Sequence, residues 1–166
     1  KSYAIYSRWG GRSPLLKLPK EENETGWNSL HDYYGLGKNN WFVCVHCREE
    51  GYSRGDDQAH SYRNGNIANY SEAIERIQER GGYVFRMGAG PMSPIKPAPN
   101  FIDYANSNKR TEFLDVFLLA NCRFFLGCTS GLMMVSLSHG VPCALADMTP
   151  IGMAGISSRC LYIPKL

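Results

Sequence analysis

Residues 41 to 57, WFVCVHCREEGYSRGDD, bring two cysteines, a histidine, two arginines and four acids to the end of an apolar run. Three chemistries suit such a set: a metal site, a redox pair, or the mouth of an anion pocket. Cys44 and Cys47 have C-x-x-C spacing with His46 between them, but a structural zinc site takes four ligands, usually from a second close pair. Cys122 and Cys128 stand six apart, and Cys143 and Cys160 are isolated. In a strand, alternation sends Cys44 and His46 to one face and Cys47 to the other, so the three do not converge on one ion. A redox C-x-x-C opens a helix, whereas this one closes a strand-like run. The cysteines read as small core residues, and no metal or other cofactor is expected.

The same alternation places His46 and Arg48 on one face at the carboxyl end of the run. In an open α/β sheet that end borders the ligand crevice. An arginine there is a permanently charged fork suited to phosphate oxygens. The competing reading pairs Arg48 with Glu49, Glu50 or Asp57 as a structural bridge, and these residues alone leave the two level.

A second constellation is FFLGCTSGLMM, residues 124 to 134. An apolar strand runs into Gly127 and a short turn, and Ser130 and Gly131 open a helix. Unpaired N–H groups and the positive dipole end collect there, glycine admits a phosphate close to the backbone, and Ser130 adds a hydroxyl. Ordinary N-capping by Thr129 or Ser130 is the alternative. The arginine and the helix start together favour the anion reading. GAG at 88 to 90 is no dinucleotide fingerprint, because Pro91 follows at once. Asp56 and Asp57 suit a general base or a metal pair, though adjacent acids in a glycine-bearing loop are more often solvated turn residues.

The elements that would position these groups follow from periodicity. WFVCVHC reads as a strand buried on both faces. Tyr70, Ala73, Ile74 and Ile77 make a helical stripe, with Asn69 as N-cap and Gly81 as stop. YVFRM (83 to 87) is a second strand, and the four prolines of GAGPMSPIKPAPN exclude helix and ladder. Thr111 caps a helix bearing Phe113, Leu114, Phe117 and Leu118. CRFFLGC (122 to 128) is a strand, SGLMMVSLSH a helix, and CALA (143 to 146) a last strand. Residues 1 to 40 read as a short strand at YAIYSRW followed by an irregular, glycine-bearing surface connection. Strands alternating with helices imply βαβ units, hence an α/β fold with a Rossmann-like, doubly wound parallel sheet.

Composition narrows the function. A chain of 166 residues that is 43% hydrophobic and 12% aromatic suits one domain with a full core. Net charge +3 with 20% charged residues is too little for a nucleic-acid partner, which leaves a small anion. No run reaches the ~18 apolar residues of a membrane span, and thiols within apolar segments suit a reducing, cytoplasmic setting.

HCRE (46 to 49) and DVFLLANCRFFLGCTSG (115 to 131) together resemble two donor-site motifs of the fucosyltransferase superfamily, which includes the α-1,6-fucosyltransferases and protein O-fucosyltransferases. The chain is also similar to a bacterial group of glycosyltransferases with H-x-R-E, YRN, RMG and F-x-G-x-x-S-G-L blocks. The resemblance covers residues 41 to 150. It implies a GT-B enzyme, in which two Rossmann-like domains face across a cleft and the carboxyl-terminal one holds the nucleotide sugar. It further implies that Arg48 contacts the donor β-phosphate, that Ser130 with the backbone of Thr129 and Gly131 cradles the pyrophosphate, and that His46 lines the nucleotide pocket. Asp115 would contact the base or brace the pocket, and Arg63 and Asn64 of YRN and Arg86 of RMG join the donor-binding set. Residue 49 is glutamate where fucosyltransferases often carry a second arginine; Arg63 or Arg86 would replace that charge, and either reads equally as a surface or structural cation.

The expectation is therefore the donor-binding half of a glycosyltransferase, acting on a nucleotide sugar, GDP-linked or otherwise, and an unidentified acceptor. Glu50 or Asp57 would serve as base, unless the base lies in a second, amino-terminal domain that 166 residues do not supply. A chain opening at Lys1 rather than methionine agrees with a piece of a longer enzyme. A nucleotide-sugar epimerase and a non-catalytic nucleotide- or sugar-binding module are the alternatives.

Overall fold

The computed structural model of the protein describes residues 14–50, 60–89, 92–96, 98–150 and 159–165. The apolar run after Trp41 forms strand β1 (Phe42–His46), and its alternation divides the core into two layers. Phe42 and Cys44 enter one layer, while Val43, Val45 and, just past the strand, Cys47 enter the other. The remaining strands are β2 (Tyr83–Arg86), β3 (Phe101–Ile102), β4 (Phe125–Gly127), β5 (Cys143–Met148) and β6 (Cys160–Pro164). All neighbours pair in parallel, in the order β3-β2-β1-β4-β5-β6, which is the doubly wound Rossmann order.

Helices cover both faces, as a parallel sheet requires. Helix α2 (Ser71–Glu79) sets Ile74 and Ile77 against Val43, Val45, Val84 and Leu126. Helices α1 (Lys20–Tyr34), α3 (Glu112–Asn121) and α4 (Gly131–Ser138) share the other layer, with Leu30, Leu114, Phe117 and Met133 against Phe42, Phe85 and Phe125. The caps expected for two of them are present. Thr111 Oγ1 accepts from Leu114 N–H at 3.1 Å and Ser130 Oγ from Met133 N–H at 3.2 Å. No helix among the described residues is long and apolar enough to cross a membrane.

Several expectations need correction. Residues 20 to 34 form a helix, not a surface connection. Trp27, Leu30 and Tyr34 lie at i, i+3 and i+7 and pack on the core, and Gly35 closes the helix at φ 69°. Gly26 hides the stripe from a periodicity reading. Helix α2 begins at Ser71, behind a 3-10 turn (Ile67–Tyr70) capped by Asn66 rather than Asn69. The strand expected over 122 to 128 is only Phe125–Gly127, because Cys122 still terminates α3. CALA is not the last strand: β5 runs on to Met148, and β6 follows. The strand expected at YAIYSRW lies outside the described residues.

Gly26 is where α1 meets α3. A Cβ at this position would lie 2.0 Å from Phe117 Cδ2, and the Phe117 ring is fully buried and edge-on to Trp27 at 5.7 Å. Gly→Ala inside a helix ordinarily stabilises by about 0.5–1 kcal/mol, whereas overpacking a tight core costs about 1–3 kcal/mol. Gly26→Ala is therefore expected to destabilise, read as a lower urea midpoint at unchanged m-value.

Candidate functional site

Between β1 and β4 the strand order changes direction, and ligands of open α/β sheets bind outside the carboxyl ends of the strands at such a point. The two strand ends are held together tightly. Gly127 lies opposite His46, and a Cβ on it would stand 2.1 Å from the His46 carbonyl oxygen, so no larger residue fits. Cys128 N–H donates to that carbonyl at 3.2 Å, and Arg48 N–H donates to Cys128 Sγ at 3.3 Å. Two motifs 80 residues apart in the chain thus form one wall.

Helix α4 starts at this wall. Ser130 is its extended N-cap and spends one lone pair on Met133 N–H, which leaves its O–H proton and the other first-turn N–H groups as donors. The space beside Gly131 is open, since an added Cβ would meet nothing within 4 Å. From the other side comes the segment 61–65, opening with a 3-10 turn (Ser61–Arg63). Gly65 N–H donates to Arg48 C=O at 2.8 Å, and Arg63 Nη2 donates to Thr129 C=O at 3.0 Å. Lys165, just past β6, donates to the carbonyls of Tyr62 and Asn64. Arg48, Arg63, Asn64, Thr129, Ser130 and Gly131 are thereby gathered at one crevice. Arg63 Nε, Thr129 Oγ1 and both amide atoms of Asn64 are buried there without a hydrogen-bond partner among the described residues. Buried polar groups are normally paired, so this cluster is suited to a polar ligand.

His46 closes β1 partly buried, and its Nδ1 lies 2.9 Å from the Met87 carbonyl. A carbonyl only accepts, so Nδ1 carries the proton and Nε2 is the acceptor of a neutral ring. Burial above all holds its pKa below the ordinary value; Arg86 and Arg48 add to this, and the Met87 carbonyl opposes it. His46 therefore offers a lone pair rather than a second cation. Burial foremost pushes the Cys47 thiol up to about 12 and also raises Cys128, so neither supplies a thiolate nucleophile.

Of the other expected residues, Arg86 and Asp115 are engaged by other partners. Arg86 is fully buried and already engaged: Nη1 donates to Ser93 C=O at 2.6 Å and reaches Asp103 at 3.3 Å, while Nη2 donates to Glu49. Glu49 also accepts from Ser93 N–H at 2.9 Å. Burial would raise its pKa, but Ser93 and Arg86 hold the carboxyl below its ordinary value. Arg86 is thus a brace among the ends of β1, β2 and β3, and Glu49 is its counterion. Asp115, in the first turn of α3, accepts from Arg110 at 2.7 Å, and burial raises its carboxyl despite that partner. Glu50 is exposed, and Asp57 lies outside the described residues.

Two residues of the crevice were missed. Lys165 follows β6, a strand the pattern did not reveal. Asp147 stands near the carboxyl end of β5 at φ 53°, where the register with β6 shifts between Leu145 and Met148. The rule that picked out Arg48, a charged side chain closing a buried strand, would have found it had the strand not been ended at Ala146.

No protein-family model and no curated protein matches the sequence. Solved structures do. The glycosyl transferase family 9 protein from Veillonella parvula DSM 2008 superposes with TM-score 0.61 at 11% identity, over 90% of this chain and 42% of that one. ADP-heptose LPS heptosyltransferase II of E. coli gives TM-score 0.59 at 14% identity, over 89% of this chain and 44% of that one. The chain spans less than half the length of either, and over that half it has the α/β Rossmann-like fold of these glycosyltransferases.

Proposed function

We propose that the chain is the donor-binding half of a GT-B-type glycosyltransferase, holding a nucleoside diphosphate sugar at the carboxyl ends of β1 and β4. The observation that carries this reading is the convergence of Arg48, Arg63 and the α4 start at the switch point, joined by the Arg63–Thr129 and Arg48–Cys128 hydrogen bonds. Two guanidinium groups and a helix amino terminus make a site for a compact, multiply charged anion. The same groups would stabilise charge building on the diphosphate as it leaves the sugar, by preorganised electrostatics. Neutral His46 would accept from a base or ribose donor group. The acceptor's proton would pass to a carboxylate, Glu50 or Asp57, or to one supplied from outside this chain. The resemblance to fucosyltransferases makes a GDP-linked sugar one donor to try. Glu49 is no obstacle to that resemblance in itself, because its carboxylate is spent on Arg86.

The test is calorimetric titration with GDP, UDP, ADP and CMP. One nucleoside diphosphate is expected to bind well below millimolar concentration, with CMP far weaker for want of a second phosphate. If none of them binds below a millimolar, the anion-site reading is wrong.

A further inference from the structure

Asp147 is not needed to hold a diphosphate, yet the fold sets it beside the cradle in an unusual way. Left-handed backbone is uncommon for any residue with a side chain, although aspartate tolerates it better than most. Here it coincides with a register shift near the end of β5, and irregularities of this kind recur beside functional sites, where they re-aim a side chain. The carboxylate is turned inward. Its Oδ2 would lie 3.2 Å from a Cβ on Gly65, whose other near neighbour is Cys47 Sγ at 2.8 Å. Gly65 is thus kept bare under the turn that carries Asn64. That turn is fixed three ways, by Gly65 N–H on Arg48 C=O, by Arg63 on Thr129 C=O, and by Lys165 on the Tyr62 and Asn64 carbonyls. Asn64 is therefore rigidly held with its amide oxygen and nitrogen both buried and unpartnered. The Asp147 carboxylate likewise has no hydrogen-bond partner among the described residues.

A carboxylate that only accepts, set against Gly65, and the amide of the preceding residue, which both donates and accepts, complement hydroxyl groups rather than phosphate. A carboxylate next to a phosphate would repel it, whereas a vicinal diol presents two O–H donors to its two oxygens. We infer that Asp147 and Asn64 form a specificity site for the hydroxyl groups of the donor's sugar ring, next to the diphosphate cradle. This rests on the proposed nucleotide-sugar reading, and it makes the sugar, not the nucleotide, the moiety these two residues select.

The experiment separates the two ideas by titrating each nucleoside diphosphate against its sugar conjugates: UDP with UDP-glucose and UDP-N-acetylglucosamine, GDP with GDP-mannose and GDP-fucose, ADP with ADP-glucose. Wild type is compared with Asp147→Asn, which keeps shape and left-handed tolerance, and with Asn64→Ala. For the preferred conjugate each variant is expected to lose affinity, about tenfold in Asp147→Asn, the scale set by hydrogen bonds to a charged group, and in Asp147→Asn the bare diphosphate changes less than twofold. Equal loss for diphosphate and conjugate would assign the pair to the ribose diol or to cradle shape, and overturn the inference. No loss in either variant would overturn it as well. Failure of wild type to bind any diphosphate would bring down the underlying reading along with it, a result distinct from both.

Discussion

Arg48→Ala is expected to weaken nucleoside diphosphate binding roughly 10- to 150-fold, the equivalent of about 1.5–3 kcal/mol for hydrogen bonds to a charged group. Calorimetry with the diphosphate selected from the panel measures it. The main-chain contacts by which residue 48 joins β1 to the crevice survive the substitution. Its N–H reaches Cys128 Sγ and its C=O accepts from Gly65, and alanine keeps both. Arg48→Lys retains the charge without the planar fork and should fall between the two. Arg63→Ala is a less pure test, since it also removes the bond to Thr129 C=O that positions the α4 turn. An Arg48→Ala protein that binds as wild type does would show that Arg48 is a structural cation and remove it from the site.

The core of this architecture was legible because its signals are local. WFVCVHC is apolar and β-branched enough to announce a buried strand, and Thr111 and Ser130 announce their helices by standing immediately before apolar stripes. What was not legible depends on partners distant in sequence. Helix α1 carries Gly26 in the middle of its apolar face, and only the Phe117 ring, 91 residues on, makes a bare position there sensible. Strand β3 has two residues, too few for any period to register. Glu49 looked like a departure from a family pattern. Its reason is Arg86, brought alongside because Val45 pairs with Arg86 in the parallel ladder. Charge and strand-end position selected Arg48; the resemblance brought in Arg86, and nothing within RMG says that a guanidinium is already satisfied by two acids from other strand ends. Asp115 repeats the point with a nearer partner, Arg110.

Removing that brace should have the largest effect on stability. In Arg86→Met the fully buried guanidinium disappears and the Glu49 and Asp103 carboxylates, 16% and 23% exposed, are left facing each other without a counterion. Breaking a buried ion pair by deleting one partner costs about 3–5 kcal/mol. For a chain of this size that lowers the melting temperature by roughly 6–20 °C. The penalty comes from stranded charge rather than lost packing, and two further measurements separate these causes. Replacing all three residues, Glu49→Met, Arg86→Met and Asp103→Leu, should recover much of the loss, because an apolar set leaves no buried charge. The pH dependence should invert. In wild type the Glu49 pKa is held below its unfolded value. Its contribution is thus complete above the ordinary carboxylate range, ~4.3, and is lost as pH falls through the lowered folded-state value. In Arg86→Met the Glu49 carboxylate, left without its cation, instead resists ionising, so its folded-state pKa rises above the unfolded one, and acid relieves the variant while it weakens wild type. The gap between the two melting temperatures should narrow as pH drops from 7 to 4. A gap independent of pH would show that Arg86 matters for its volume and not for its charge.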